Sequence, residues 1–250
     1  MDISTIAVKL FPAYEDVFYD EQEMHQKHFL PLCSVMFPSA GIAEGQWLHF
    51  VSVKELYDGR VGEQSRAHHT RYSQPDTFAF DVIDGKYKFD ADWRFFGDHR
   101  QIEPGAYQEN YTDHEIAYNM NESMYALKKA YYQQFRKLYQ GDFNRPGLMV
   151  EDIRRLERLR ALSPDDLKQD PIDNYLVERQ QQKKGRLFDN IYPDLFPDEG
   201  DVIAPVDEAG NPFTFIGNLD GYHFQHHAPE NICLFYDQTL QKAVACLGNS

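Results

Sequence analysis

The sequence predicts an α+β fold: a mostly antiparallel sheet built from N-terminal and C-terminal strands, with a helical middle segment. Short runs of aromatic and β-branched residues occupy the first third and the last quarter of the chain. Between them, apolar residues recur at steps of three and four, which is the period of a helix with one buried face. Strands that flank a helical stretch favour an antiparallel α+β arrangement over a doubly wound parallel sheet.

The N-terminal strands contain the clearest turn signal. Gln46–Val53 is rich in aromatic and β-branched residues, which predicts a strand. Thr77–Ile83 and Lys86–Phe89 flank the dipeptide Asp84-Gly85. Because Asp-Gly tolerates the positive φ of a type I′ turn, these two segments are predicted to form a β-hairpin.

The middle of the chain predicts three helices. A long amphipathic helix is expected over Asp113–Tyr139, with Asp113 as its N-cap and Gly141 as the residue that ends it. Shorter helices are expected at about Glu151–Leu162 and Pro171–Lys184. The helical insertion therefore covers about residues 113–185.

The last quarter returns to strands. Short apolar runs occur at Phe213–Leu219, Ile232–Tyr236 and Lys242–Leu247, and the last two are predicted to pair through Asp237–Gln241. The terminal strands are too few to form a stable second domain alone. Residues 1–250 are therefore predicted to form a single domain, although the pattern leaves open whether the N-terminal and C-terminal strands share one sheet.

The composition limits the compartment and the partners. The formal net charge is -15, which disfavours binding to nucleic acids and to anionic membranes. The three cysteines, Cys33, Cys233 and Cys246, form no C-x-x-C pair, and we expect them to be reduced, buried thiols. The first residues lack a secretory signal, and the apolar runs are too short to cross a membrane. These features predict a cytoplasmic protein.

Charge is distributed unevenly. Residues 187–241, the acidic segment, contain ten Asp or Glu and no Lys or Arg, whereas Lys128–Arg160 contains nine basic and four acidic residues. One interpretation is that these regions pair with each other or stay solvated. The alternative is that the acidic segment binds a basic protein. The first candidates for partner-binding residues are Asp194, Asp198, Glu199 and Asp201, which cluster in a stretch predicted to be an exposed loop.

Candidate catalytic residues are few, and no cofactor is expected. His223, His226 and His227 lie within five residues, and His68-His69 is a second pair, but their spacing matches no standard metal motif. We expect these histidines to be solvated or hydrogen-bonded, and a metal-dependent hydrolase that uses them remains an alternative. The alternating acids Asp90 and Asp92 are interpreted as the polar outer face of a strand. The sequence therefore favours a binding protein over an enzyme.

Two C-terminal segments carry a family resemblance. Residues 211–220 (NPFTFIGNLD) and 232–237 (ICLFYD) resemble paired strand motifs of the YwqG-like family of bacterial proteins. The resemblance covers about the last fifth of the chain. It implies a strand-rich α+β scaffold and a role as an immunity protein against a secreted bacterial toxin, such as those delivered by type VI secretion. An adaptor or chaperone that loads a secreted effector is a further alternative.

Overall fold

The computed structural model confirms the predicted fold class and shows it to be mostly β. It contains two antiparallel sheets, one of three and one of five strands, with short helices among them. The structure describes residues 7–36, 42–55, 60–97, 118, 121–126, 128–130, 132–133, 138, 202–225, 228–229 and 231–248.

The first sheet is N-terminal and has the strand order β1-β2-β3. Its strands are β1 (Ala7–Leu10), β2 (Phe29–Met36) and β3 (Leu48–Val53). Two short helices, α1 (Tyr14–Val17) and α2 (Gln22–His28), connect β1 to β2. Nearly every residue of β2 and β3 is buried, which explains why their sequences are almost continuously apolar rather than alternating.

The second sheet joins strands from both ends of the chain, in the order β5-β4-β8-β7-β6. Its strands are β4 (Thr77–Ile83), β5 (Lys86–Phe89), β6 (Thr214–Leu219), β7 (Asn231–Asp237) and β8 (Lys242–Gly248). The pairing of β4 with β8 connects the N-terminal hairpin to the C-terminal strands. The question that the sequence left open is thereby answered: N-terminal and C-terminal strands share this sheet.

Both predicted hairpins are confirmed, and the geometry of each turn shows why the chain reverses there. Asp84 and Gly85 have φ values of 50° and 76°, the two positive angles of the type I′ turn that joins β4 to β5. Between β7 and β8 the carboxylate of Asp237 accepts a hydrogen bond of 2.8 Å from the backbone of Leu240. Gln241, with φ of 49°, completes that turn.

The main core lies between the two sheets. Strand β3 packs against β7 and β8, and aromatic rings from β2, β4 and β5 meet around the fully buried Phe29. The rings of Phe80 and Phe89 lie 5.1 and 5.3 Å from that of Phe29, as centroid distances. The opposite face of the five-stranded sheet carries a second buried cluster, here called the outer cluster: Ala79, Phe213, Phe215, Cys233, Phe235, Val244 and Cys246.

Part of the predicted long helix is described, and it contacts the first sheet. Positions 118, 121–126, 128–130, 132 and 133, here called the middle helix, are helical. The Tyr125 hydroxyl donates a hydrogen bond of 2.6 Å to the carbonyl of Pro31 on β2, and the Asn121 amide donates one of 2.9 Å to the Lys54 carbonyl after β3. The helices predicted at 151–162 and 171–184 lie outside the described residues. None of the described helices is long and apolar enough to cross a membrane.

Candidate functional site

The described part of the acidic segment begins at Val202 and crosses the outer cluster. Val202 and Ala204 pack against that cluster, whereas Ile203 between them has 86% of its surface exposed. Beyond them, the Phe213 backbone donates a hydrogen bond of 2.9 Å to the Pro205 carbonyl. The chain thus presents alternate side chains to the sheet and to solvent. The predicted partner-binding residues Asp194, Asp198, Glu199 and Asp201 immediately precede Val202 and lie outside the described residues.

Hydrogen bonds fix the short turn that follows, between Val206 and Pro212. Val206 forms a bridge with Pro212, and Val206 is 42% exposed. The carboxylate of Asp207 accepts two hydrogen bonds of 2.8 Å from Asn211, one from its backbone and one from its side chain. These bonds hold the pKa of Asp207 below its usual value. Asp207 therefore stays ionised beside the exposed Glu208.

Side chains from the loop before β4 and from the start of β8 surround this turn and pack it against the sheet. The Arg71 guanidinium donates a hydrogen bond of 2.7 Å to the Asp207 carbonyl. The Tyr72 ring lies 5.2 Å from the ring of Phe213, and the Lys242 ammonium lies 5.7 Å from the Tyr72 ring centre. We define the acidic–apolar strip as Ile203, Val206, Asp207 and Glu208. It is an exposed surface on a fixed backbone, which lowers the entropy cost of binding.

A second exposed group of the acidic segment follows β6. The Asp220 carboxylate accepts a hydrogen bond of 2.8 Å from the Tyr222 backbone, and Tyr222 is 50% exposed. The buried ammonium of Lys128, on the middle helix, donates to the Tyr222 carbonyl. Burial lowers the pKa of Lys128 to about 7, and the nearby charge of Asp220 opposes that shift. The middle helix thus fixes the turn that presents Tyr222.

Among the described residues, the candidate metal ligands do not come together to form a complete metal site. His223 Nε2 lies 3.9 Å from a carboxylate oxygen of Asp220, and His69 Nε2 lies 2.7 Å from the carbonyl oxygen of Gly62. Among the described residues no group of three or more His, Cys, Asp or Glu is placed to hold a metal ion. His226 and His227 lie outside those residues, so the histidine-based hydrolase stays a prediction.

Asp90 was predicted to lie on the solvated face of a strand, but its side chain is largely buried. Strand β5 ends before Asp90, and the Asp90 side chain is only 7% exposed. Its carboxylate accepts hydrogen bonds from Ser73 at 2.5 Å, Lys242 at 2.9 Å and Thr70 at 3.2 Å. The prediction that Asp90 and Asp92 share a strand face is therefore wrong, because Asp92 instead caps a 3-10 turn. Asp90 connects β8 to the loop before β4.

A serine–histidine pair that the sequence did not reveal lies inside the core. Ser34 Oγ is 2.7 Å from His49 Nδ1, and His49 Nε2 is 2.9 Å from the carbonyl oxygen of Gly85. The carbonyl accepts only, so Nε2 carries the proton and Nδ1 accepts from the Ser34 hydroxyl. Burial lowers the pKa of His49 to about 4. Because Ser34 and His49 are 2% and 3% exposed, the pair links β2, β3 and the β4–β5 turn and is closed to a substrate.

A second polar group joins α2, the residues after β3 and the middle helix. The Tyr118 hydroxyl lies 2.6 Å from His28 Nδ1 and donates a hydrogen bond of 3.2 Å to the Glu55 carboxylate. Glu55 also accepts from the backbone of Gly97, at 2.8 and 3.1 Å. The His28 ring stacks on that of Phe96 with centroids 4.3 Å apart. Sequence reasoning missed this group because its members are far apart in the chain and match no motif.

No known protein family matches the chain, and no curated protein and no solved structure is significantly similar to it. The resemblance of residues 211–220 and 232–237 to the YwqG-like family therefore stays a prediction.

Proposed function

We propose that this protein is a bacterial immunity protein, acting in the cytoplasm, that binds a basic secreted toxin and neutralises it by covering its active surface. The observation that carries the proposal is the acidic–apolar strip. Ile203, 86% exposed, and Val206, 42% exposed, precede Asp207 and Glu208 in the chain. Exposed aliphatic and acidic side chains in one short segment offer a basic partner both apolar area and complementary charge.

The two parts of the strip contribute differently to binding. Acids raise the rate of encounter with a basic partner and disfavour acidic or neutral ones, and this contribution is screened by salt. Ile203 and Val206 provide the apolar area that leaves water on contact, and this slows dissociation. Because the acidic segment has no Lys or Arg, no cation within it opposes the approach of a basic surface.

The test starts from the partner. Tagged full-length protein is used to capture it, and the captured protein is then expressed alone and together with this protein in a bacterial host. We expect expression alone to stop growth and co-expression to restore it. Growth arrest that persists while the two proteins remain bound would instead indicate an effector-loading adaptor.

Charge reversal tests the surface. The quadruple variant Asp194→Lys, Asp198→Lys, Glu199→Lys and Asp201→Lys should lower the association rate with the captured partner by about tenfold or more. The matched control reverses four exposed glutamates elsewhere: Glu15, Glu23, Glu44 and Glu63. An equal loss in both variants, or no loss in either, would contradict binding through the acidic segment.

Ile203→Ala separates the apolar contribution from the charged one. We expect faster dissociation with an unchanged association rate, and unchanged folding stability because the side chain is exposed. Tyr19→Ala is the control, since Tyr19 is 46% exposed and its backbone bonds to Tyr87 on β5, at the sheet edge opposite β6. Unaltered dissociation in Ile203→Ala would remove the strip from the interface.

A further inference from the structure

Two of the three cysteines are brought together by the register of the C-terminal hairpin. Cys233 on β7 and Cys246 on β8 are direct partners across the antiparallel pair. Both side chains point to the same face of the sheet, where they belong to the outer cluster. Both are free thiols, and both are buried, with 0% and 4% exposure.

Cys233 and Cys246 are the two central members of a row of paired residues that crosses four strands. Thr77 on β4 is the partner of Cys246, and Asn218 on β6 is the partner of Cys233. Thr77 hydrogen-bonds to the Cys246 side chain and thereby favours its thiolate. The Asn218 amide donates a hydrogen bond to Asn231, and its buried carbonyl oxygen has no hydrogen-bond partner among the described residues. The pair of thiols thus lies between two polar side chains in the row that crosses the outer cluster.

The spacing of directly opposed residues suits a covalent bond between the two sulfurs. In an antiparallel pair the Cα atoms of such residues are about 4.5–5.5 Å apart. Disulfides join residues whose Cα atoms are about 4.4–6.8 Å apart. Residues paired in this way have Cα atoms at a separation within the range that disulfides span, so the register of β7 and β8 suits a bond between Cys233 and Cys246.

We propose that Cys233 and Cys246 form a reversible intrachain disulfide, with a small-molecule disulfide such as oxidised glutathione as the oxidant. The Cys246 thiol loses its proton to water, and its thiolate attacks one sulfur of the oxidant. A mixed disulfide forms and one glutathione thiolate leaves. The Cys233 thiolate then attacks the Cys246 sulfur and releases the second glutathione. The two cysteines lose two electrons and two protons, and the oxidant is reduced to two thiols.

Cys246 is the first nucleophile because of its surroundings. It retains 4% exposure where Cys233 has none, and it receives the hydrogen bond from Thr77. Burial raises the pKa of both thiols to about 12, so little thiolate is present at neutral pH. Since the thiolate is the reactive form, oxidation should be slow at pH 7 and should accelerate about tenfold per pH unit up to pH 9.

The experiment counts thiols in the full-length folded protein after incubation with oxidised glutathione at pH 8. We expect the thiols titrated in denaturant to fall from the three free cysteines to one. Mass mapping should show a bond between the peptides that carry Cys233 and Cys246, with Cys33 still reduced. A reducing thiol should restore all three. Three remaining thiols, or glutathione retained on Cys233 or Cys246 in the unmutated protein, would overturn the proposal.

Three serine variants test the order of the reaction. Cys233→Ser should accumulate a mixed disulfide with glutathione at Cys246, whereas Cys246→Ser should accumulate no product at Cys233. Cys33→Ser is the matched control, since Cys33 is a buried thiol on β2, and it should form the 233–246 disulfide at the normal rate. A disulfide that appears in the unmutated protein only when urea is present would show that the folded sheet does not permit the reaction.

Discussion

His49 is a titratable residue that the fold keeps neutral. Its ring is 3% exposed, its Nδ1 accepts from Ser34, and its Nε2 donates to the Gly85 carbonyl. A second proton on the imidazole, at Nδ1, would require the Ser34 hydroxyl to turn its proton away and would place a positive charge in a buried site. Burial therefore lowers the pKa of His49 to about 4, from an ordinary value of 6.5.

This pKa predicts a loss of stability in acid. Between the folded and unfolded pKa values, the unfolded chain binds more protons at His49, so the free energy of unfolding rises with pH. The stabilisation is complete above pH 6.5 and is lost as the pH falls towards 4. At pH 4 the loss due to this residue should be about 3 kcal/mol. Urea unfolding at pH 7 and pH 4 measures it. His49→Gln should be less sensitive to pH by this amount, and equal sensitivity in both proteins would contradict the assignment.

Gly62 shows a requirement for glycine that is set by packing as well as by φ. Its φ is +82°, and a Cβ there would lie 2.2 Å from a carbon of the Phe95 ring. Gly45 has a similar φ of +78° with no atom near its Cβ position, so it isolates the backbone contribution. Gly45→Ala should cost about 1 kcal/mol of unfolding free energy, and Gly62→Ala about 3 kcal/mol. Equal losses in urea unfolding would show that the Phe95 ring moves aside at little cost.

At the scale of the element, the turns were predictable from the sequence and the long-range pairing was not. Asp84-Gly85 specifies a type I′ turn through its own backbone preferences, so a hairpin between β4 and β5 follows from neighbouring residues alone. The pairing of β4 with β8 joins segments that are far apart in the chain. No local preference encodes the register that places Thr77 opposite Cys246.

The same limit explains which parts of the candidate site were missed. The charge of the acidic segment is visible in composition, but the exposure of Ile203 depends on which side chains of 202–206 face the sheet. The pairing of Cys233 with Cys246 depends on the length of the β7–β8 turn. Asp90 looked like a solvated acid because an alternating pattern does not show where a strand ends.

Tyr118 joins the middle helix to α2 and to the chain just after β3. Its hydroxyl lies between His28 Nδ1 and the Glu55 carboxylate. Tyr118→Phe removes both contacts and should lower the unfolding free energy by about 2 kcal/mol, because bonds to buried and charged groups are lost together. Tyr19→Phe is the control, since Tyr19 is 46% exposed. Equal stability of the two variants in urea unfolding would contradict a docking role for Tyr118.

At the scale of the whole molecule, the five-stranded sheet contains strands from both ends of the chain, and β3 of the first sheet packs against β7 and β8. If the two sheets separated, each would expose apolar surface to water. Loss of the C-terminal strands would leave β4 and β5 as an isolated hairpin, which is marginally stable in water. We therefore expect the strands of the two sheets to unfold as one cooperative unit.

That arrangement predicts a single unfolding transition, and the chain supplies a separate reporter for each half. Both tryptophans, Trp47 and Trp93, precede the middle helix, whereas Cys233 and Cys246 lie on β7 and β8. In a Cys33→Ser variant, tryptophan fluorescence follows the N-terminal part and thiol accessibility follows the C-terminal hairpin. We expect the two urea midpoints to coincide, because β4 cannot lose β8 without loss of the shared core. Thiols that become accessible at a lower urea concentration than the fluorescence change would show that the C-terminal strands unfold as a unit of their own.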